Sequence, residues 1–113
     1  MYSEKRPWSE FHVLEEGQGF KVKRITVNPG GILSLQSHKH RAEHWTVVNG
    51  IATATVDKNV ETLSRGQYID VPKGAIHRLA NQHGATLDII EVQFGDYLGE
   101  DDIIRYEDAY NRT

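Results

Sequence analysis

Short runs of β-type residues, interrupted by turn sequences about every eight residues, most constrain what this chain can fold into. The runs are rich in valine, isoleucine, threonine and aromatic residues, which favour strands. Turn signals lie between them, for example at residues 28–31, 49–50 and 72–74, where glycine, proline and asparagine cluster. The pattern predicts roughly eight to ten short strands with almost no helix, and therefore an all-β sandwich or barrel.

Individual strands can be assigned from the same runs. Residues 11–14 and 20–27 flank a glycine-containing loop and predict a hairpin. The Asn49-Gly50 pair predicts a second hairpin, because both residues tolerate positive φ. Further strands are predicted at residues 32–36, 43–48, 51–56, 60–63, 68–71, 75–80 and 86–94.

The two ends of the chain depart from this pattern. Residues 1–10 are mostly polar and predict a short N-terminal arm that lies against the body of the fold. At the other end, acidic residues 99–102 precede a group of apolar and aromatic residues, namely Ile103, Ile104, Tyr106 and Tyr110. An acidic start of this kind favours a short C-terminal helix or a closing arm.

Composition limits the classes of function. The 113 residues predict a single domain over residues 1–113. The absence of cysteine excludes disulfides, thiolate metal sites and cysteine nucleophiles. A formal net charge of -3 argues against nucleic-acid binding, and no apolar run predicts a membrane span or a signal peptide. We therefore expect a soluble cytoplasmic protein that binds neither nucleic acid nor membranes.

Three histidines, a glutamine and a glutamate are concentrated in one stretch of nine residues. Imidazole nitrogen, amide oxygen and carboxylate are ligands of first-row metal ions. Because side chains alternate along a strand, Gln36 and His38 face the same way, whereas Glu43 and His44 cannot both enter one site without a bulge. His77 lies far along the chain and needs only a neighbouring strand to reach the same place.

The spacing of these residues resembles the two sequence motifs of the cupins. The second motif is matched in full, by Gly66, Pro72, Gly74, His77 and Asn81. This resemblance implies a double-stranded β-helix, a small jelly-roll barrel with the metal in its mouth.

The first cupin motif can be placed in two registers. With His38 and His40 as its histidine pair, the gaps to the flanking glycine and glutamate do not fit. With Gln36 and His38 as the pair, every gap fits, and the matching residues are Gly30, Gln36, His38, Glu43 and Gly50. We prefer this second register, which implies the metal ligands Gln36, His38, Glu43 and His77.

A narrower resemblance covers most of the chain. Residues 6–8, 20–25, 33–45 and 91–103 resemble the C-terminal isomerase domain of type II mannose-6-phosphate isomerases. The resemblance implies interconversion of mannose 6-phosphate and fructose 6-phosphate, and a divalent metal, with zinc expected and manganese, cobalt, nickel or iron as alternatives. Ser9 departs from the family, which more often has glycine there. No nucleotidyltransferase domain is present, so guanylyltransferase activity is not expected.

Several residues are candidates for the remaining roles. His40, His44 and Glu91 are candidates for the base that transfers the proton. Glu91 is a candidate because it shares a strand face with apolar residues, where a carboxylate is costly unless it is paired or functional. His40 could equally be a fifth ligand, a residue that orients an imidazole ligand, or a residue of the cavity mouth. For Trp45, core packing is the stronger interpretation.

Cations near the motifs are candidates for binding the sugar phosphate that we expect as the small-molecule partner. Arginine forms bidentate contacts with phosphate, and lysine acts as a point charge. The candidates are Arg41, Arg78, Lys21 and Lys23, with Arg41 also a candidate catalytic residue.

Two other functions are compatible with these residues. Two histidines and one carboxylate also suit the Fe(II) of a non-haem oxygenase, and a small cupin can bind a sugar or another metabolite without turnover. A homodimer is expected in each case, because pairing would cover exposed edge strands.

Overall fold

A computed structural model describes residues 2–107. Over that range the chain forms strands and no helix, which confirms the all-β prediction. The strands are β1 (Ser3–Lys5), β2 (Ser9–Gly17), β3 (Phe20–Val27), β4 (Leu35–Ser37), β5 (Arg41–Asn49), β6 (Ala52–Val56), β7 (Asn59–Leu63), β8 (Tyr68–Val71), β9 (His77–Ala80), β10 (Leu87–Gly95) and β11 (Ile104–Glu107).

The strands form two antiparallel sheets that enclose one core. The first sheet has six strands in the order β1-β2-β3-β10-β5-β8, and the second has five in the order β11-β4-β9-β6-β7. Both sheets contribute to the same apolar cluster, for example through Val47 and Leu87 from the first and Ala54 and Leu79 from the second. This arrangement is the predicted cupin double-stranded β-helix.

The inward face of the six-stranded sheet changes from apolar to polar along its strands. Ile89 on β10 lies opposite Val47 on β5, and both are buried in the apolar core. Four residues further along the same face of β10, Gln93 lies opposite Glu43, with Glu91 between them and Ile89. All three polar residues are buried. One end of the barrel is therefore lined by polar side chains that are buried from bulk water almost completely.

The predicted Asn49-Gly50 hairpin is wrong, although the turn itself is present. Gly50 has a φ of +83°, as expected for such a turn. However, β5 pairs with β10 and β8, whereas β6 pairs with β7 and β9 in the other sheet. The turn carries the chain across the barrel from one sheet to the other. The predicted hairpin of residues 11–14 and 20–27 is confirmed as the β2–β3 pair.

Of the two C-terminal alternatives, the helix is wrong within the described residues, which instead form an arm that pairs with the second sheet. Ile104–Glu107 form strand β11, which pairs with β4 at the edge of the second sheet. Tyr110, which belonged to the same prediction, lies outside the described residues. At the other end, the predicted N-terminal arm contains strand β1, which pairs with β2. Residues 2–107 include no helix that could cross a membrane.

Candidate metal centre

A cavity of about 160 Å³ opens at the polar end of the barrel. Its walls come from both sheets, and the N-terminal arm and the segment before β11 also contribute, through residues such as Arg6 and Ile103. The sequence-predicted site residues that line it are Lys23, Gln36, His38, Arg41, Glu43, His77 and Glu91. Strands far apart in the chain therefore bring most of the predicted site residues together.

His38, Glu43 and His77 form a compact group in this cavity. All three are buried, and their potential ligand atoms lie within 4.8 Å of one another. Nε2 of His38 is 3.3 Å from Oε2 of Glu43, and Nε2 of His77 is 3.8 Å from Oε1 of the same carboxylate. Two imidazoles thus face the two oxygens of one carboxylate.

Backbone carbonyls fix both imidazole rings. Nδ1 of His38 is 2.6 Å from the carbonyl oxygen of Asp102, and Nδ1 of His77 is 3.0 Å from that of Ala75. A carbonyl can only accept, so each Nδ1 carries the proton and each Nε2 presents a lone pair to the cavity. Burial lowers the pKa of His38 to about 4 and also lowers the pKa of His77. Both rings are therefore neutral at pH 7.

Gln36, the fourth predicted ligand, lies on strand β4. It lies directly opposite His77 in the pairing of β4 with β9 and lines the same cavity. Its Nε2 donates to Oγ of Ser34 at 3.2 Å and lies 3.3 Å from the carbonyl oxygen of that residue. These contacts use the amide nitrogen and leave Oε1 as an acceptor.

This group fits a divalent first-row metal ion. His38, Glu43 and His77 offer two neutral imidazole nitrogens and one carboxylate, without thiolates, and Gln36 presents an amide in the same cavity. Such nitrogen and oxygen ligands suit zinc, and also manganese, cobalt, nickel and iron. Zinc as the metal stays a prediction.

Arg41 contacts the same group. It is buried, and its Nε donates to Oε2 of Glu43 at 2.8 Å. One terminal nitrogen, Nη2, is 3.1 Å from Nε2 of His38, and the other, Nη1, is buried without a hydrogen-bond partner among residues 2–107. The guanidinium therefore neutralises the buried carboxylate while one of its donors stays unsatisfied.

A second buried carboxylate, Glu91, lies beside the first. The indole Nε1 of Trp45 donates to Oε1 of Glu43 at 2.9 Å and to Oε1 of Glu91 at 3.0 Å. Gln93 donates from Nε2 to the other oxygen of Glu91 at 2.6 Å. Burial, reinforced by the Glu43 carboxylate, raises the pKa of Glu91 to about 7. Trp45, interpreted from sequence as core packing, thus also holds two carboxylates in position.

Two predicted catalytic histidines lie outside the cavity that residues 2–107 form. His40 is exposed in the loop before β5, and its ring meets that of Tyr97 edge to face at 5.9 Å between centroids. His44 is on the outward face of β5, where its Nδ1 is 2.7 Å from Asp70 and its ring stacks on Tyr68. Strand alternation places His44 on the side opposite Glu43.

Only two of the four predicted phosphate-binding cations line the cavity. Lys23 and Arg41 line the cavity, whereas Arg78 and Lys21 do not. Nε of Arg78 donates to the carbonyl of Leu33 at 3.0 Å. Nζ of Lys21 donates to a backbone carbonyl at 2.7 Å and lies 3.4 Å from a carboxylate oxygen.

The segment before β11 closes one side of the site, through contacts that no sequence motif indicated. Asp102 is buried, and its carboxylate accepts the backbone N–H groups of Lys39 and His40 at 3.0 and 2.9 Å. Its carbonyl oxygen also accepts from His38, so one residue fixes both the loop and a potential ligand. Glu100 lies 2.8 Å from Nζ of Lys23. An acidic residue that caps a distant loop has no local sequence signal.

Comparison with known proteins agrees with the sequence resemblance. The family model for the C-terminal domain of mannose-6-phosphate isomerase matches residues 2–108. Xanthan biosynthesis protein XanB of Xanthomonas campestris is 54% identical over 108 residues, which are 96% of this chain and 23% of that protein. Mannose-1-phosphate guanylyltransferase ManC of Salmonella typhimurium is 49% identical over 108 residues, which are 96% of this chain and 22% of that protein. The chain thus spans less than a quarter of the length of these curated relatives.

A solved structure from Klebsiella pneumoniae, of a conserved protein with a double-stranded β-helix domain, has the same fold. The two superpose with a TM-score of 0.79 at 20% sequence identity, over 92% of this chain and 89% of that chain. At this identity the likeness concerns the fold alone.

Proposed function

This chain belongs to the family of mannose-6-phosphate isomerase C-terminal domains, and we propose that it is a metal-dependent isomerase that interconverts mannose 6-phosphate and fructose 6-phosphate. The observation that carries the proposal is the buried group of His38, Glu43 and His77, with Gln36 beside it, in the cavity of a chain from this family. The guanylyltransferase activity named for one relative is not proposed, because the match covers 22% of that protein.

Aldose–ketose isomerisation moves a proton between C2 and C1 of the sugar through a cis-enediol. A divalent ion held by Gln36, His38, Glu43 and His77 would polarise the carbonyl and stabilise the enediolate charge. The chain itself must supply a group that takes and returns the proton, and a cation that holds the phosphate.

Glu91 is the candidate base that the geometry supports best. It lines the cavity, and its pKa of about 7 lets the carboxylate both accept and return a proton near neutral pH. Trp45 and Gln93 orient its two oxygens, so the carboxylate is held in one position. In this scheme Glu91 takes the proton from C2 and delivers it to C1, while the hydroxyl proton of O2 passes to O1, so that the aldehyde becomes a hydroxyl and C2 becomes the ketone.

Arg41 is the candidate phosphate anchor among the cavity cations. Its Nη1 is buried without a hydrogen-bond partner among the described residues, so the guanidinium has a donor to offer. Lys23 lines the same cavity, but its Nζ is already held by Glu100 and lies over the ring of Phe11 at 4.0 Å from the centroid. An arginine is also the side chain that recognises phosphate oxygens in pairs.

The test is a coupled assay for fructose 6-phosphate formed from mannose 6-phosphate. Activity should disappear with a chelator and return with added metal. His77→Ala should lower activity by about 100-fold or more, since removing a partner of a ligand alone typically costs 10–100-fold. His12→Ala is the matched control, because His12 lies on β2 and outside the cavity lining, and it should stay active.

Folded, metal-loaded protein that forms no product would refute the isomerase. Thermal stabilisation by sugar phosphate without conversion would indicate a binding protein. Bound iron together with oxygen uptake would indicate the oxygenase class.

A further inference from the structure

The guanidinium of Arg41 occupies the lone pairs that a metal ion would need. Its Nε donates to Oε2 of Glu43 at 2.8 Å, and its Nη2 reaches Nε2 of His38 at 3.1 Å. Those two acceptor atoms are only 3.3 Å apart and belong to the group that fits a metal. The Nε2 atom of a neutral imidazole has one lone pair, so it cannot accept from Arg41 and bind a metal at the same time.

Charge makes the two occupants exclusive. A divalent cation bound at His38 and Glu43 would stand within hydrogen-bond distance of a buried guanidinium, and like charges at such separation repel strongly where water is excluded. Arg41 is 6% exposed, so solvent screens little of this repulsion. The guanidinium must therefore leave the ligand atoms when a metal binds.

The present position of Arg41 is also incompletely satisfied. Its Nη1 is buried and has no hydrogen-bond partner among residues 2–107. A buried donor without a partner costs free energy. A position in which all of its donors form hydrogen bonds would lower the free energy of the side chain. An anion in the cavity would supply the acceptors for such a position.

We propose that Arg41 sets the metal affinity of this site by competing for its ligand atoms, and that metal binding releases Arg41 to bind an anionic ligand such as a phosphate group. The inference rests on the metal site of the proposed function and adds a coupling between two ligands. Because coupling between binding events is reciprocal, metal must strengthen phosphate binding by the same factor by which phosphate strengthens metal binding.

Metal affinity can be measured without any turnover. Cobalt(II) is titrated into metal-free protein, and binding is followed by calorimetry and by the visible absorption of the coordinated ion. Arg41→Met removes both competing hydrogen bonds and should bind cobalt about tenfold more tightly, or more. Arg41→Lys keeps the charge but cannot bridge both acceptors, so it should also bind more tightly than the unsubstituted chain.

Arg105→Met is the matched control for the loss of a positive charge. Arg105 lines the same cavity and lies opposite Gln36 in the pairing of β11 with β4. Its removal should leave cobalt affinity within about twofold, because Arg105 is exposed and solvent screens its charge. Tighter binding by Arg41→Met alone, with Arg41→Lys unchanged, would overturn the competition in favour of a simple charge effect.

The coupling is tested with inorganic phosphate. Phosphate should raise the cobalt affinity of the unsubstituted chain relative to that of Arg41→Met. The comparison is relative because phosphate also complexes cobalt in solution, which lowers the apparent affinity of both proteins equally. An identical phosphate effect on the two proteins would overturn the release of Arg41. Circular dichroism checks the fold of each variant. If Arg41→Met unfolds, Arg41→Lys replaces it in the test, because the lysine still places a cation beside Glu43.

The experiment distinguishes failure of the competition by Arg41 from failure of the metal-dependent function. Equal cobalt affinities for all variants overturn the role of Arg41 and leave the isomerase intact. An absence of cobalt binding in every folded variant overturns both the role of Arg41 and the metal-dependent function.

Discussion

The free energy of unfolding of the metal-free protein should fall as the pH rises, and replacing Glu91 by glutamine should remove this fall. Glu91 is 4% exposed, and burial, with the nearby Glu43 carboxylate, raises its pKa from 4.5 to about 7. The folded chain therefore holds a proton that the unfolded chain releases above about pH 4.5. This stabilisation is fully present below pH 4.5 and is lost as the pH rises through 7.

The size of the effect follows from the same pKa. The folded value lies about 2.5 pH units above the ordinary one, and each unit corresponds to about 1.4 kcal/mol. The stabilisation lost is therefore about 3 kcal/mol, a large share of the roughly 5–15 kcal/mol that keeps a domain folded. His38 acts in the opposite direction. Burial lowers its pKa to about 4, so its contribution is full above pH 6.5 and is lost as the pH falls towards 4.

Urea denaturation in the presence of a chelator measures how the free energy of unfolding depends on pH. Between about pH 4.5 and 7, the free energy of unfolding of the unsubstituted chain, relative to that of Glu91→Gln, should fall by about 3 kcal/mol. Glu61→Gln changes an exposed glutamate on β7 and should parallel the unsubstituted chain. Parallel profiles for Glu91→Gln and the unsubstituted chain would refute the argument that burial keeps a proton on Glu91.

Two further substitutions test the surroundings of the site. Trp45→Phe removes an indole N–H that two buried carboxylates share, so the free energy of unfolding should fall by about 2 kcal/mol or more. In a double-mutant cycle this loss should shrink when Glu91 is already methionine, which has no oxygen to accept the indole N–H, and an undiminished loss would contradict the shared hydrogen bond. Gly50→Ala brings a Cβ to 2.5 Å from the carbonyl oxygen of Thr86, whereas Gly66→Ala, at a similar positive φ, meets nothing within 4 Å. Thermal melts should show the larger loss for Gly50→Ala, and equal losses would mean that φ alone sets the cost.

The side of the strand on which each residue lies could be predicted because alternation is a local rule. Glu43 faces the cavity and His44 faces outward, as two successive residues of one strand must. Gln36 and His38, two residues apart, both line the cavity. The resemblance to the isomerase domain is confirmed by the match over residues 2–108, and the ligand set stays a prediction.

Strand pairing could not be predicted in the same way, because it depends on residues that are far apart in the chain. Asn49-Gly50 determines the backbone conformation of a turn, but it does not determine whether the next strand returns to the same sheet. Likewise, residues 104–107 have an acidic segment before them that suits a helix, yet they form β11 because the edge of β4 offers unpaired backbone groups. In both places a tertiary partner overrides the local preference.

The partners of the buried charges are the part of the site that most depends on this nonlocal pairing. A carboxylate at Glu91 is costly on an inward face unless it is paired or functional, and the sequence alone did not identify a partner for it. In the structure Glu91 is buried, and its partner Trp45 lies directly opposite it because β5 pairs with β10. Its indole N–H reaches Glu43 as well, so the bond that makes one buried carboxylate tolerable also fixes a potential metal ligand. An aromatic residue that alternation assigns to the core therefore determines the spacing between a candidate base and a candidate metal ligand.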